Sequence, residues 1–417
     1  MVGTINLNLA SKAGVVPSRF IPAPNHSVNR RNPMLNFTFH NPTKIVFGTE
    51  SIAKLNKLIP AQARVLILYG GASAQKNGTL DEVKAALGQR LVQEFGGIEA
   101  NPTYETLMRA VEQVRTEKLD FLLAVGGGSV IDGTKFVAAA VPFVGDPWTI
   151  LSAGAKIESA VPLASVLTLP ATGSEMNNGS VITRKETKAK LAFMNPHVFP
   201  QFSILDPTKT YTLPPQQIAN GVVDAFVHIV EQYLTYPVGG MVQDRFAEGL
   251  LQTLVEIGPK VLAEPENYEN RANLMWVATL ALNGLIGAGV PQDWATHMIG
   301  HELTAQHGID HARTLAIVLP SLLNVQRADK RAKLLQYAER VWQIREGDEA
   351  QRIDAAIRQT AEFFESLGVP TRLSAYGIGR EAIDTLVSQL EAHGMKALGE
   401  HQNITPEVSR RILEGAL

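Results

Sequence analysis

The reactive side chains on offer in this chain are imidazoles and carboxylates, because it has ten histidines and no cysteine. Disulfides, thiolate metal sites and thiol nucleophiles are thereby excluded, so any metal must be held by His, Asp, Glu or backbone oxygen. His297 and His301 stand four residues apart, as do Asp224 and His228 within GVVDAFVH. On a helix this spacing puts both members of a pair on one face, one turn apart, where they can serve a single ion. Asp224 is flanked by Val222, Val223, Ala225, Phe226 and Val227, and a carboxylate in such company needs a partner. A lone histidine on an apolar face is usually a core residue, but two such pairs, one with a carboxylate, point to a metal site. His301-Glu302 suggests the H-E-x-x-H motif of metalloproteases, which fails because position 305 is Ala305. Spacing alone leaves open which of His297, His301, His307 and His311 are ligands.

A second group of residues suits phosphate. Gly126, Gly127, Gly128 and Ser129 follow an apolar run (FLLAV, 121–125) and open a helical stretch over 130–140. Glycines let the backbone approach an anion, and the free N–H groups of a helix start point at it. The loop is neither the dinucleotide fingerprint, whose third glycine would fall at Ile131, nor the Walker A loop, because Thr134-Lys135 reverses its last two residues. Another loop, Tyr69-Gly70-Gly71-Ala72-Ser73, lacks the acidic residue that holds an adenosine ribose in NAD sites, the first being Asp81. Ser73 and Lys76 instead offer a hydroxyl and a positive charge, which suits the 2′-phosphate of NADP(H). A third stretch, 168–175 (TLPATGSE), could line the pyrophosphate or nicotinamide.

The elements that must position these groups differ between two halves. Over 35–212, strand-like runs at 63–69 (ARVLILY), 121–125 and 163–169 (LASVLTL) alternate with helical stretches such as 104–118, which argues for a parallel α/β sheet. Residues 35–47 look like a hairpin leading in. From 213 the strand signals fade, and helices are expected over 215–234, 241–262, 270–286, 293–305, 312–324, 330–346, 351–367 and 380–393. The expected architecture is therefore a dinucleotide-binding α/β domain (34–212) followed by an all-helical metal-binding and substrate domain (213–417). Residues 1–33 contain no acidic residue and several prolines, which reads as a disordered extension rather than a transit peptide. The formal net charge of −2 gives no reason to expect nucleic acid as a partner, and no apolar stretch reaches the roughly 18 residues of a membrane span.

Four segments together, AVGGGSVIDGTKF (124–136), TLPATGSE (168–175), NGVVDAFVHIVEQY (220–233) and residues 287–320, resemble the iron-containing alcohol dehydrogenase family, in its NADPH-dependent aldehyde reductase and butanol dehydrogenase branch. The resemblance runs from about Met34 to the C-terminus. It implies a Rossmann-like domain followed by a helical one, and one divalent ion, Fe2+ or Zn2+, on Asp224, His228, His297 and His311. His301 is then left near the nicotinamide as a proton relay. It further implies NADP(H) held by Gly126, Gly127, Gly128 and Ser129 with Asp132 nearby, Gly71 and Ser73 at the adenosine end, and Thr168, Thr172, Asn177 and Lys190 along the cofactor. Met176 falls at a small-residue position in that family. The implied activity is reversible reduction of short- to medium-chain aldehydes by a cytoplasmic homodimer. A glycerol-dehydrogenase-like enzyme and a binding protein without catalysis are the alternatives.

Overall fold

The computed structural model describes residues 33–71 and 73–417, so the extension expected over 1–33 lies, apart from Pro33, outside the described residues. The strands are β1 (Lys44–Phe47), β2 (Arg64–Tyr69), β3 (Leu91–Phe95), β4 (Phe121–Gly127), β5 (Leu163–Leu169), β6 (Gly179–Arg184), β7 (Ala189–Met194) and β8 (Phe202–Leu205). Six of them form one sheet in the order β1-β8-β5-β4-β2-β3, and every pairing is parallel. The parallel α/β expectation is met. Leu66, Leu68, Leu122 and Ala124 pack on one face of the sheet, while Val65, Ile67, Phe121, Leu123 and Val125 pack on the other. Both faces are covered, which is why β2 and β4 read as unbroken apolar runs rather than alternating ones.

All eight strands precede residue 206, and from Pro215 onward the long elements are helices with an apolar core of their own. Several ends move from their expected places. The helix expected over 270–286 is Tyr268–Ala281, ending before Gly284 takes a φ of 90°. The one expected over 330–346 stops at Arg340, before the chain turns through left-handed Gln343 and Gly347. A final helix, Pro406–Gly415, capped by Thr405, was not expected.

The hairpin expected over 35–47 does not form. Only Lys44–Phe47 is a strand, and it pairs in parallel with β8. Residues 35–43 instead run as an irregular strap over the helical part. The Leu35 N–H donates to the Gly289 carbonyl, and the Asn41 amide donates to the carbonyls of Met176 and Asn283. The hairpin that does exist is the antiparallel pair β6 and β7, which the sequence did not announce.

Candidate functional site

The three loops singled out in the sequence all leave the carboxyl ends of the sheet strands. β4 passes directly into the helix Gly128–Ala140, whose first turn has no side-chain cap, so its N–H groups face outward for an anion. A Cβ at Gly128 would lie 2.2 Å from the hydroxyl oxygen of Thr172, so glycine there lets the β4 and β5 loops meet. The Gly71–Ser73 loop follows β2, the neighbour of β4, and the chain order reverses between these two strands. That is the switch point where open α/β sheets bind ligands. Gly71 and Ser73 are exposed there, and Ser129 is half-buried with its hydroxyl donating to the Ala100 carbonyl.

Other residues named along the cofactor hold the loops together. Asp132 accepts from the Ser174 hydroxyl (2.5 Å) and from the Val181 N–H (2.9 Å), so both of its oxygens are engaged. Asn177 donates to the Gly173 carbonyl, while its own oxygen accepts from Gly179 N–H and from Lys135. Lys135 entered the sequence reading only as part of the failed Walker A match, and its role here was missed. It is wholly buried and donates to Ser174 Oγ (2.8 Å), Asn177 Oδ1 (2.9 Å) and the Gly179 carbonyl (2.8 Å). Its signal was a lysine three residues after Asp132 on an otherwise apolar helix. Thr168, next to the last residue of β5, is half-buried. Lys190, on β7, donates to Asn101 Oδ1 at 3.0 Å. Burial lowers its pKa to about 8, opposed by the charges of Asp224 and Asp132, and Lys190 in turn disfavours protonation of His297, His301 and His311. It therefore lies electrically between the glycine loop and the histidines.

The histidine cluster is built by three helices. Pro215–Tyr233 carries Asp224 and His228, Ala295–His307 carries His297 and His301, and His311–Val325 begins on His311. Ligand-capable atoms of Asp224, His297 and His311 lie within 4.8 Å of one another. Asp224 Oδ1 is 3.7 Å from Nε2 of His228 and 3.7 Å from Nε2 of His311. The His228 and His297 rings are stacked with centroids 4.7 Å apart. His301 stands alongside, its ring centroid 5.2 Å from that of His311 and 6.4 Å from that of His297. His307 is exposed at the end of its helix and takes no part.

This donor set fits a divalent ion. Among the described residues, Asp224 Oδ1 and His297 Nε2 are buried without a hydrogen-bond partner, as are Nδ1 of His228 and Nδ1 of His311, whose Nε2 atoms are the ones 3.7 Å from Asp224, whereas no nitrogen of His301 is. Burial pushes the His228 and His297 imidazoles down to about 4, and those of His301 and His311 well below the ordinary value, against the pull of Asp224 on the first two. The rings are neutral near pH 7, as ligands must be. Separations of 3.7 Å are too long for hydrogen bonds but close to the roughly 3 to 4 Å between donors that share one ion at about 2.1 Å.

The chain closes tightly around the cluster. A Cβ at Gly221 would lie 2.4 Å from the Pro170 carbonyl, so glycine there lets the Asp224 helix reach the β5 loop. Trp294, at φ 64° and therefore in the left-handed region, starts the His297 helix and sets its ring 5.3 Å from that of His297. Glu231, a turn beyond His228, is a further residue that the sequence reading missed. Positions 224, 228 and 231 share one helix face, and that i, i+4, i+7 pattern was the available signal.

Comparison with known proteins identifies the family. The iron-containing alcohol dehydrogenase family matches residues 42–207, and the C-terminal family of the Fe-containing alcohol dehydrogenases matches 218–414. The chain is 64% identical to the NADPH-dependent aldehyde reductase YqhD of Escherichia coli over 92% of its own length and 100% of that protein. It is 40% identical to a probable NADH-dependent butanol dehydrogenase of Bacillus subtilis, again over 92% of this chain and 100% of that one. The solved structure of E. coli YqhD superposes with a TM-score of 0.92 at 63% identity, covering 93% of this chain and 100% of that one. The NADH-dependent butanol dehydrogenase A of Thermotoga maritima superposes with a TM-score of 0.89 at 36% identity, covering 92% and 99%. The chain belongs to the iron-containing alcohol dehydrogenase family.

Proposed function

We propose that this chain is an NADPH-linked aldehyde reductase that converts short- and medium-chain aldehydes to primary alcohols, reversibly, as a cytoplasmic homodimer. The observation that carries the reading is the buried, unpartnered Oδ1 of Asp224 among neutral imidazoles, set against a glycine-rich phosphate loop. The similarity to an NADPH-dependent aldehyde reductase over nearly the whole chain supports it. Asp224, His228, His297 and His311 would hold the divalent ion, iron(II) or zinc, since one carboxylate and three imidazoles suit either. When bound, the ion supplies Lewis-acid polarisation of the carbonyl oxygen and the reduced nicotinamide supplies the hydride.

The chain's own residues do the rest. The N–H groups of Gly126, Gly127, Gly128 and Ser129 receive the pyrophosphate. Asp132, Asn177 and Lys135 fix the β5 loop against the helix Gly128–Ala140, so that Thr168 and Thr172 line the cofactor. Ser73, following Gly71, meets the adenosine 2′-phosphate together with Lys76. Lys190 and His301 lie beside the proposed ligands, and His301 would move the proton to the product oxygen.

Following NADPH oxidation with butanal on metal-analysed protein tests the reading. Turnover with about one bound ion per chain is expected, on the stoichiometry of a single four-donor site. Protein that binds metal and NADPH yet turns over no aldehyde would instead be a binding protein. Equal or better catalytic efficiency with NADH would sink the NADP(H) assignment.

A further inference from the structure

We propose that Glu231 is a positioning residue for His297, fixing which imidazole nitrogen is free for the metal. The inference rests on the ligand set proposed above. Glu231 is buried, 2% exposed, and its two carboxylate oxygens are divided between neighbours on the next ligand-bearing helix. Oε1 accepts from the Thr296 N–H at 2.6 Å, and Oε2 lies against Nδ1 of His297. Its backbone carbonyl accepts from the Asp293 N–H at 2.9 Å. Glu231 thus ties the Asp224 helix to the start of the His297 helix and the residue leading into it at three points, and left-handed Trp294 lies between the anchored residues.

A neutral imidazole carries one proton on its two nitrogens, so whatever accepts from one decides that the other is a free lone pair. With Glu231 Oε2 as the acceptor, the proton stays on Nδ1 and Nε2 is the lone pair. Nε2 of His297 is the buried nitrogen left without a partner among the described residues. One side chain therefore sets the tautomer and orientation of a ligand and the entry of its helix. Carboxylates that receive the second N–H of a ligating histidine act in this way. Nothing in the proposed reaction calls on Glu231 otherwise.

Glu231→Gln is the informative variant, because its amide has one acceptor oxygen. If that oxygen keeps the Thr296 N–H, the amide NH2 faces Nδ1 and favours the proton on Nε2, the tautomer that cannot bind an ion. Zinc affinity measured by chelator competition should weaken about 10- to 100-fold. NADPH affinity, read by fluorescence, should be unchanged, since the glycine loops lie elsewhere. A merely structural helix cap would lower thermal stability and leave zinc affinity alone; a folded variant whose zinc affinity stays within about twofold of the parent's, far less than that loss, overturns the proposal. Crystallography of the zinc-loaded parent needs no variant: coordination through Nε2 of His297 with Nδ1 on Glu231 is expected, and coordination through Nδ1 overturns it. A parent that binds no zinc at Asp224 would overturn the ligand set itself, which is a different outcome from a parent that binds zinc through the wrong nitrogen.

Discussion

At the scale of single residues, the contrast between His297 and His301 is the sharpest. Both are buried on one helix face, yet only His297 has a buried nitrogen aimed without a partner toward Asp224. His297→Ala should therefore lose the metal, whereas His301→Ala should keep it and lose turnover. Metal analysis beside a rate assay checks this, and full occupancy with full activity in both variants would refute the assignment. Lys135 gives a pH-dependent prediction away from the ligands. Burial lowers its pKa to about 8, opposed by the charges of Asp132 and Glu175. The folded protein thus binds fewer protons at this site than the unfolded chain between about pH 8 and the ordinary lysine value near 10.5. Stability contributed by this site must then rise with pH across that window, because the cost of the buried ammonium is fully present below it. Measured by urea unfolding, the stability of the parent minus that of Lys135→Met should increase from pH 8 to 10; a flat or falling difference would contradict the burial.

At the scale of elements, the start of the His297 helix is held by a buried ion cluster. Lys330 Nζ lies 2.8 Å from Asp293 and 2.8 Å from Glu400, and donates to the Leu234 carbonyl at 2.7 Å. Burial alone would lower its pKa, but the two carboxylates outweigh it and hold it above the ordinary value. Lys330→Met would strand two buried carboxylates and should cost about 3–5 kcal/mol in chemical unfolding; a loss under about 0.5 kcal/mol, the size of a surface substitution, would refute the role. Gly128→Ala should weaken NADPH binding, because the methyl group has to displace Thr172, and an unchanged dissociation constant would show that the loops can part. These features also mark what the sequence disclosed. Apolar runs announced β2, β4 and β5, and i, i+4 spacing announced Asp224 with His228. Spacing could not separate His301 from His311, since the choice depends on how three helices cross. The β6–β7 hairpin, with Lys190, was silent because Lys185 to Lys188 is a polar turn between strands with weak alternation. Residues 35–43 alternate like a strand, yet their N–H and side-chain bonds go to Gly289, Met176 and Asn283, partners far away in the chain.

At the scale of the whole molecule, the strap leaves apolar side chains outside. Met34, Leu35, Phe37 and Phe39 are each at least 44% exposed. They adjoin the start of the helix Met241–Ala263, where Met241, Val242 and Phe246 are also exposed and Gln243 reaches the Met34 sulfur. Phe37 packs on Gly289, at φ 71°, so the strap is seated on the helical part rather than loose. Phe47 meets Trp276 edge-on nearby, with ring centroids 6.2 Å apart. Exposed apolar side chains grouped in this way are characteristic of an interaction surface, and burying one Phe or Leu side chain contributes about 1.5–3 kcal/mol. In an isologous dimer each of these residues is used twice. The proposed homodimer should therefore sediment at twice the 45.2 kDa chain mass. Phe37→Asp combined with Phe246→Asp should shift it toward the monomer, with the metal site, on other helix faces, still filled. Sedimentation at several concentrations beside metal analysis separates the outcomes. A parent that is monomeric at micromolar concentration, or a double variant as dimeric as the parent, would show that this face is not where two copies meet.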